Sequence, residues 1–255
     1  MDLLAHTAVE SERFVEAIRK ADPNTPVPTC PEWNADDLLW HLTEVQHFWS
    51  EIVGKGLADP SSYEPPTRPD GRDGLLDSFA HAHGSLVAAL TGKQDADPAW
   101  SWHEPDQTVG FTRRRQAHEA LIHRIDAELT IAADSTIDAE LAADGVLEVL
   151  DVMYGSAPSW TTVTEDGPVG TIRCTDLDIH WAVQIRRLSG TSPETGQTYA
   201  DEPVLAIADS AASAFDISGT AADLDRWLWR RPTAGPINRT GDAAVFEAVI
   251  DNGIH

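Results

Sequence analysis

The sequence predicts a helical bundle followed by a small α+β domain. Long segments with apolar residues at helical spacing fill the N-terminal part of the chain, whereas short β-branched or aromatic runs, separated by turn signals, follow Tyr154. A length of 255 residues is sufficient for one large domain or two of modest size. We therefore expect a four-helix bundle over residues 1–155 and an α+β domain over residues 156–255.

Four long helices are predicted before this change in pattern. Residues 3–21 carry apolar side chains at helical spacing, and the proline-rich segment PNTPVPTCPEW then prevents the helix from continuing. The second helix begins at Asn34, a favourable N-cap residue that is followed by two aspartates in the first turn. The third and fourth helices are expected at residues 75–90 and 108–132.

An amphipathic segment at residues 137–153 completes the predicted bundle domain. The strands expected in the second domain lie in the runs SWTTVTE, GPVGTIRCT and IHWAVQIR, which EDG and DLD turn signals separate. A helix in GTAADLDRWLWRR is expected to stop before Pro232, and a last helix is expected in GDAAVFEAVIDNG.

The composition argues against several classes of partner. A formal net charge of −24 repels nucleic-acid phosphates and anionic lipid head groups, so we expect neither nucleic acid nor membrane as a partner. No apolar stretch is long enough to span a membrane, and the N-terminal residues lack the pattern of a secretory signal. Cys30 and Cys174 form no CxxC pair, so we expect free thiols in a reducing cytoplasm. We expect a monomer or a homodimer.

The stretch RRRQAHEALIHRIDAEL carries the candidate chemistry. Glu119 and His123 are four residues apart, so on a helix both side chains project from one face, about one turn apart. This spacing suits two metal ligands on one helix, and both side chains are good ligands for Zn²⁺ and similar ions. His41, which lies among apolar residues of the second helix, is the leading candidate for a third ligand from a facing helix.

Spacing alone leaves other interpretations open. A Glu-x-x-x-His pair is also common on helix surfaces, and His41 could be a hydrogen-bonded interior histidine. Asp126, three residues after His123, is placed either to orient that imidazole or to lie in solvent near the helix end. Two histidines and a carboxylate also describe the non-haem iron(II) facial triad, although that triad usually occupies a β-scaffold. Cys30 has no partner at a spacing that indicates nucleophilic catalysis and is interpreted as a packing residue.

Five segments together carry a family resemblance. In order along the chain they are VPTCPEWNADDLLWHL, HEALIHRIDAEL, LAADGVLEVLD, SGTAADLDRWLWRRP and GDAAVFE. With these segments the chain resembles the mycothiol-dependent maleylpyruvate isomerase family, within the DinB-like bundle superfamily, over nearly its whole length. The resemblance implies a DinB-like metal-binding bundle followed by a C-terminal domain similar to sterol-carrier proteins.

The resemblance also implies a set of site residues. It assigns a divalent metal, usually zinc, to His41, Glu119 and His123, the three residues that spacing proposes. It places the family's C-terminal arginine at Arg231, where a guanidinium could bind the carboxylate of mycothiol or of the substrate. Without the resemblance, Arg231 could equally be a charge that caps the end of a helix.

The function implied is that of a metal- and mycothiol-dependent enzyme, either an S-transferase or a cis–trans isomerase. Its substrate is expected to be a small electrophile that carries a carboxylate. The alternative is a non-catalytic bundle that binds metal or thiol as a sensor or interaction module. Six arginines in two segments, at residues 113–115 and at Arg226, Arg230 and Arg231, predict a locally positive pocket for an anionic ligand. The arginine-rich composition and the resemblance both suggest an actinobacterial source.

Overall fold

The computed structural model describes residues 1–164, 166–209 and 214–253 of the chain. The chain divides into two compact units, Met1–Ser135 and Thr136–His255. The first unit is helical and the second contains a mixed β-sheet, so the predicted fold class is confirmed. In the part of the chain that the structure describes, no helix combines the length and the apolar character needed to cross a membrane.

The division between the units corrects the predicted boundary after residue 155. It lies between Ser135 and Thr136, because the helix Ala139–Glu148 packs within the second unit. Ala142 and Val146 of this helix share a core with residues of the sheet. The amphipathic pattern predicted the helix correctly but did not show which core its apolar face joins.

Four helices form the first unit. They are α1 (Leu3–Lys20), α2 (Ala35–Lys55), α3 (Arg72–Leu90) and α4 (Val109–Thr130). The proline-rich segment before α2 is a short antiparallel hairpin of β1 (Pro26–Val27) and β2 (Cys30–Asn34), where the sequence predicted only a helix-breaking segment.

Capping explains where α2 begins and ends. The Asn34 side chain accepts hydrogen bonds from the backbone N–H groups of Asp36 and Asp37, and the Asp37 carboxylate accepts one from the Asn34 N–H. This reciprocal arrangement satisfies donors that a helix N-terminus leaves unpaired. Gly56 ends the helix with φ of 63°, a left-handed conformation that glycine adopts without steric strain. The predicted N-cap at Asn34 is therefore confirmed.

The second unit consists of a sheet with helices packed on it. After α5 (Ala139–Glu148) and one π-helical turn come the strands β3 (Thr162–Val163), β4 (Val169–Cys174), β5 (His180–Thr191), β6 (Thr198–Ile207), β7 (Phe215–Gly219) and β8 (Asn238–Gly241). Their order in the sheet is β6–β5–β4–β7–β8, and β3 pairs with β5 near the C-terminal end of that strand. The β4–β7 pair is parallel and the other pairs of this sheet are antiparallel. Helix α6 (Ala221–Leu228) and helix α7 (Ala244–Asn252) complete the unit.

A buried ionic network joins α4 to α1. The guanidinium of Arg124, fully buried, donates to Glu10 on α1 at 2.7 Å and to Glu128 on α4 at 2.7 Å. Arg13 donates to the other oxygen of Glu128 at 3.1 Å. Charges removed from water must be paired, so this network fixes how α4 sits against α1. Arg124 directly follows His123 in the chain, so the network anchors the part of α4 that carries the candidate ligands.

Replacing the central cation should destabilise the first unit strongly. We expect Arg124→Ala to lower the free energy of unfolding by about 3–5 kcal/mol, because it removes the buried cation that pairs with both Glu10 and Glu128 and leaves them only the partly exposed Arg13. Denaturant unfolding measures this loss. Arg19→Ala, which removes an exposed arginine from the last turn of α1, is the matched control and should cost less than about 1 kcal/mol. Equal losses in the two variants would contradict the role given to the network.

Candidate metal centre

Helices α2 and α4 bring three potential metal ligands together. Glu119 Oε1 lies 3.4 Å from His41 Nε2 and 3.1 Å from His123 Nε2. One ligand atom from each residue can be chosen so that all lie within 4.8 Å of one another, and no other such group of three occurs among the described residues. The spacing of Glu119 and His123 on one helix and the position of His41 on a facing helix thus converge as the sequence predicts.

The three side chains differ in their access to solvent. The His123 side chain is 10% exposed, that of Glu119 is 19% exposed, and that of His41 is 32% exposed. The cluster is therefore anchored in the interior at His123 and opens at His41. A metal bound by three such ligands keeps coordination positions for water or another ligand, which is the arrangement of catalytic zinc sites.

The buried end of the cluster is held by a chain of hydrogen bonds. His123 Nδ1 lies 3.0 Å from Asp126 Oδ2, and the other oxygen of the fully buried Asp126 accepts a hydrogen bond of 2.6 Å from the Thr29 hydroxyl. When Nδ1 donates to Asp126, the Nε2 lone pair of the neutral imidazole is directed at the position between the ligands. A carboxylate behind a ligating histidine is the usual outer partner in metal sites.

Two further side chains contact the other ligands. Arg115, buried and one turn before Glu119 on α4, donates to Glu119 Oε2 at 3.1 Å. The indole ring of Trp33 lies against the imidazole of His41, with ring centroids 4.7 Å apart and planes inclined by 37°. Glu119 thus has one oxygen held by Arg115 and the other facing both imidazoles.

The electrostatics of the cluster favour ionised Glu119 and protonated His123. Burial opposes both charges, but the hydrogen bonds outweigh it. Hydrogen bonds with His123 and His41, and the positive charge of Arg115, hold the pKa of Glu119 well below its usual value. Hydrogen bonds to Asp126 and Glu119 raise the pKa of His123 to about 9. Without a bound metal, the raised pKa of His123 favours a proton on Nε2 at neutral pH, at the nitrogen a metal would use.

The residues present fit a divalent metal. The donor set comprises two imidazole nitrogens and one carboxylate oxygen, which are ligands that Zn²⁺ accepts. The second nitrogen of His123 and the second oxygen of Glu119 are both engaged, so the remaining atoms are oriented toward one point. Asp126 lies in the outer position that its spacing suggested, rather than in solvent.

Two arginines singled out in the sequence make contacts within their own units. Arg231 belongs to the second unit, where its Nη1 donates to the Trp229 carbonyl at 2.7 Å, near the end of α6. Arg113 donates to the Leu90 carbonyl at the end of α3. Of these arginines of the first unit, Arg115 contacts the cluster through Glu119, whereas Arg113 contacts the end of α3. Both cysteines are free, as predicted.

The remaining histidines of the bundle helices lie outside the cluster. His47 contacts the Tyr63 hydroxyl at 3.2 Å, and His83 contacts the Gln46 side chain at 3.1 Å. His118 is fully buried on α4 and does not belong to the group of three ligands. These three histidines therefore do not contribute to the candidate metal position.

The sequence predicted no role for Thr29 or Trp33, and it placed Arg115 only within a positively charged segment rather than beside Glu119. Arg115 could have been identified, because it precedes Glu119 by four residues and the two therefore share a helix face. No local pattern signals the other two. Thr29 is 97 residues from Asp126 along the chain, and only the folded hairpin brings its hydroxyl to that carboxylate.

Comparisons with known proteins bear on both units. Residues 4–128 match the family model described as the mycothiol maleylpyruvate isomerase N-terminal domain, and residues 140–248 match the model of the C-terminal domain of the same family. The fold is similar to the crystal structure of a mycothiol-dependent maleylpyruvate isomerase, with a TM-score of 0.56 and 13% identity, over 93% of this chain and 91% of the other. A variant of that enzyme with one histidine replaced by alanine gives the same values. No curated protein matches the sequence.

Removing a ligand should abolish tight metal binding without unfolding the bundle. We expect His41→Ala and Glu119→Gln each to weaken binding of Zn²⁺ by more than the ~10–100-fold that is typical of losing an outer partner. Metal content after dialysis and chelator competition measure this change. His47→Ala is the matched control on α2 and should retain wild-type affinity. Wild-type metal content in the two ligand variants would refute the assignment.

Metal binding should release a proton from His123. Because its pKa is about 9 in the metal-free protein, the imidazole must lose a proton before Nε2 can bind a metal. The apparent affinity should therefore rise about tenfold per pH unit below that pKa and level off above it. Calorimetry in buffers of different ionisation enthalpy should show about one proton released at neutral pH.

Asp126→Asn provides the control for this proton release. The variant removes the charge that helps to raise the pKa of His123, so fewer protons should be released at mildly alkaline pH. The absence of proton release in the wild-type protein at neutral pH would contradict the assigned protonation.

Proposed function

Because the chain belongs to the mycothiol maleylpyruvate isomerase family, we propose that it is a metal-dependent enzyme that uses mycothiol. Its substrate class is a small electrophile with a carboxylate, and its reaction is either cis–trans isomerisation or S-transfer. Zn²⁺ is the metal we propose, and the reducing cytoplasm is the compartment. The observation that carries the proposal is the meeting of His41, Glu119 and His123, whose ligand atoms lie within 4.8 Å of one another.

Each side chain of the cluster has a defined task in this proposal. His41 and His123 offer Nε2, and Glu119 offers Oε1 with its negative charge. Asp126 holds the His123 ring by Nδ1, while Arg115 keeps the second Glu119 oxygen occupied. The exposure of His41 leaves a side of the cluster at which the thiol and the electrophile can approach. When bound, the metal supplies a Lewis acid that favours the thiolate form of the thiol at neutral pH.

The two candidate reactions differ in the fate of the sulfur. In isomerisation a carbon–sulfur bond forms at one end of a conjugated double bond, rotation follows about the resulting single bond, and loss of the same sulfur restores the double bond in the other geometry. The thiol is then recovered unchanged. In S-transfer the carbon–sulfur bond persists in the product, either because the former double-bond carbon takes up a proton or because the sulfur displaces a leaving group, and one thiol is consumed for each electrophile.

We propose that Arg231 binds a carboxylate of the thiol or of the substrate. Guanidinium groups pair with carboxylates through two parallel hydrogen bonds, and Arg231 is partly exposed. Its contact with the Trp229 carbonyl engages Nη1 and is compatible with the helix-capping alternative. The variant Arg231→Gln separates the two roles.

Thiol dependence is the most direct test of the activity. With a panel of α,β-unsaturated acids and activated electrophiles, we expect catalysed turnover with mycothiol, little with glutathione and none without thiol. Recovery of the thiol would identify an isomerase, and its stoichiometric consumption would identify an S-transferase. Equal rates under the three conditions would contradict the proposal.

Two controls define what a negative result means. His41→Ala should remove the thiol-dependent rate, because the metal is lost. A wild-type protein that holds stoichiometric metal and binds mycothiol, yet converts no electrophile of the panel, would instead support the non-catalytic binding module.

Removing the Arg231 charge should affect carboxylate binding and not metal binding. We expect Arg231→Gln to raise KM by about 10–100-fold, in line with the ~1.5–3 kcal/mol of a hydrogen bond to a charged group. Metal affinity should be unchanged. Arg230→Gln, at the exposed neighbouring position, is the matched control. An unchanged KM in Arg231→Gln, with lower thermal stability, would support the capping role instead.

A further inference from the structure

The β1–β2 hairpin contacts His41 directly and contacts His123 through Asp126. Thr29 lies in the short turn between the strands, and Trp33 lies on β2, just before the N-cap of α2. Neither residue offers an atom to the candidate metal position, yet each contacts a ligand or its partner. The sequence predicted this segment only as a break between two helices.

The hairpin itself is firmly attached to the bundle. Val27 is fully buried in the core of the first unit. The backbone N–H of Ala35 donates to the Thr25 carbonyl at 3.0 Å, and that of Asp36 donates to the Pro23 carbonyl at 3.3 Å. These bonds attach the residues before β1 to the first turn of α2, and β2 continues directly into that helix, so the hairpin is held at both ends.

Thr29 acts on His123 through Asp126. Its hydroxyl donates a hydrogen bond of 2.6 Å to Asp126 Oδ1, and Asp126 Oδ2 lies 3.0 Å from His123 Nδ1. With a donor on each oxygen, the fully buried carboxylate has little freedom to rotate. The His123 imidazole is therefore linked through Asp126 to a residue of the hairpin.

Trp33 acts on His41 by direct ring contact. The indole centroid lies 4.7 Å from the His41 centroid and 6.3 Å from that of His123. The two imidazoles themselves meet edge to face, with centroids 4.7 Å apart. His41 is the most exposed of the three ligands, so an indole wall on one side restricts the rotation of its ring where packing is weakest.

We propose that the β1–β2 hairpin is a clamp that orients both histidine ligands, with Thr29 and Trp33 as positioning residues. Thr29 sets the direction of His123 Nε2 by way of Asp126, and Trp33 sets that of His41 Nε2. This inference rests on the metal role of the cluster given under Proposed function. It adds that a segment outside the ligand-bearing helices determines the affinity and geometry of the site.

The proposed role of Thr29 is tested with an isosteric variant and a conservative variant. Thr29→Val keeps the shape and removes the hydroxyl, so chelator competition should show Zn²⁺ affinity reduced by ~10–100-fold. Thr29→Ser keeps the hydroxyl and should restore affinity to within about twofold. Thr130→Val is the matched control, because the Thr130 hydroxyl contacts the backbone carbonyl of Asp126 rather than its carboxylate. Its affinity should equal that of the wild type.

The proposed role of Trp33 is tested with one variant that removes the aromatic ring and one that keeps a ring. Trp33→Leu should weaken Zn²⁺ binding by about tenfold and alter the absorption spectrum of the Co²⁺-loaded protein, whereas Trp33→Phe should keep both close to the wild type. Trp102→Leu, at an exposed tryptophan elsewhere in the unit, is the control. Unchanged Zn²⁺ affinity in Thr29→Val or in Trp33→Leu overturns the proposal for that residue.

A measurement on the metal-free protein separates this inference from the proposed function. In the NMR spectrum, the proton on His123 Nδ1 should exchange with solvent at least several-fold faster in Thr29→Val than in the wild type or in Thr29→Ser. Equal exchange in Thr29→Val and wild type overturns the clamp. Failure of the wild type to bind any divalent ion would refute the metal-dependent function, and this exchange experiment would still decide whether Thr29 orients His123.

Discussion

Helix α4 has to keep charged side chains inside the first unit, and this constraint organises the site. A buried charge without a partner is strongly unfavourable, and each charged residue at issue has one. Arg124 is paired with Glu10 and Glu128, and Arg115 is paired with Glu119. His123 is held between Asp126 and Glu119. Each partner stabilises the charge of the side chain that it contacts and also restricts its rotamer. The pairing of buried charges therefore also aligns the candidate ligands.

The balance of charge in this cluster explains how an acidic protein could accept an anionic thiol. With His123 protonated, the two positive groups, Arg115 and His123, balance the two negative groups, Glu119 and Asp126. Exchange of the His123 proton for a divalent cation would leave these residues and the metal with one net positive charge. A thiolate would then restore neutrality. The formal net charge of −24 thus describes the whole chain and not the polarity of the candidate site.

Helical periodicity and capping residues predicted the four long helices, and i,i+4 spacing predicted that Glu119 and His123 share a face. These features depend on residues that are close together in the chain, so they can be predicted from the sequence alone. The placement of residues 139–148 in the second unit depends on which of two apolar cores the helix joins, and amphipathicity contains no such information. The contacts of Thr29 and Trp33 depend on the hairpin fold of a proline-rich segment. They are non-local, and only the packed structure brings them to the ligands.

In the proposed function, His41, Glu119 and His123 form the metal centre at which the protein engages its thiol. Titration of the Co²⁺-loaded protein with mycothiol, followed by near-ultraviolet and visible absorption, tests this role of the three residues. We expect a sulfur-to-cobalt charge-transfer band that saturates at one thiol per protein and is lost in His41→Ala. A protein that holds one Co²⁺, binds mycothiol and shows no such band would contradict this role.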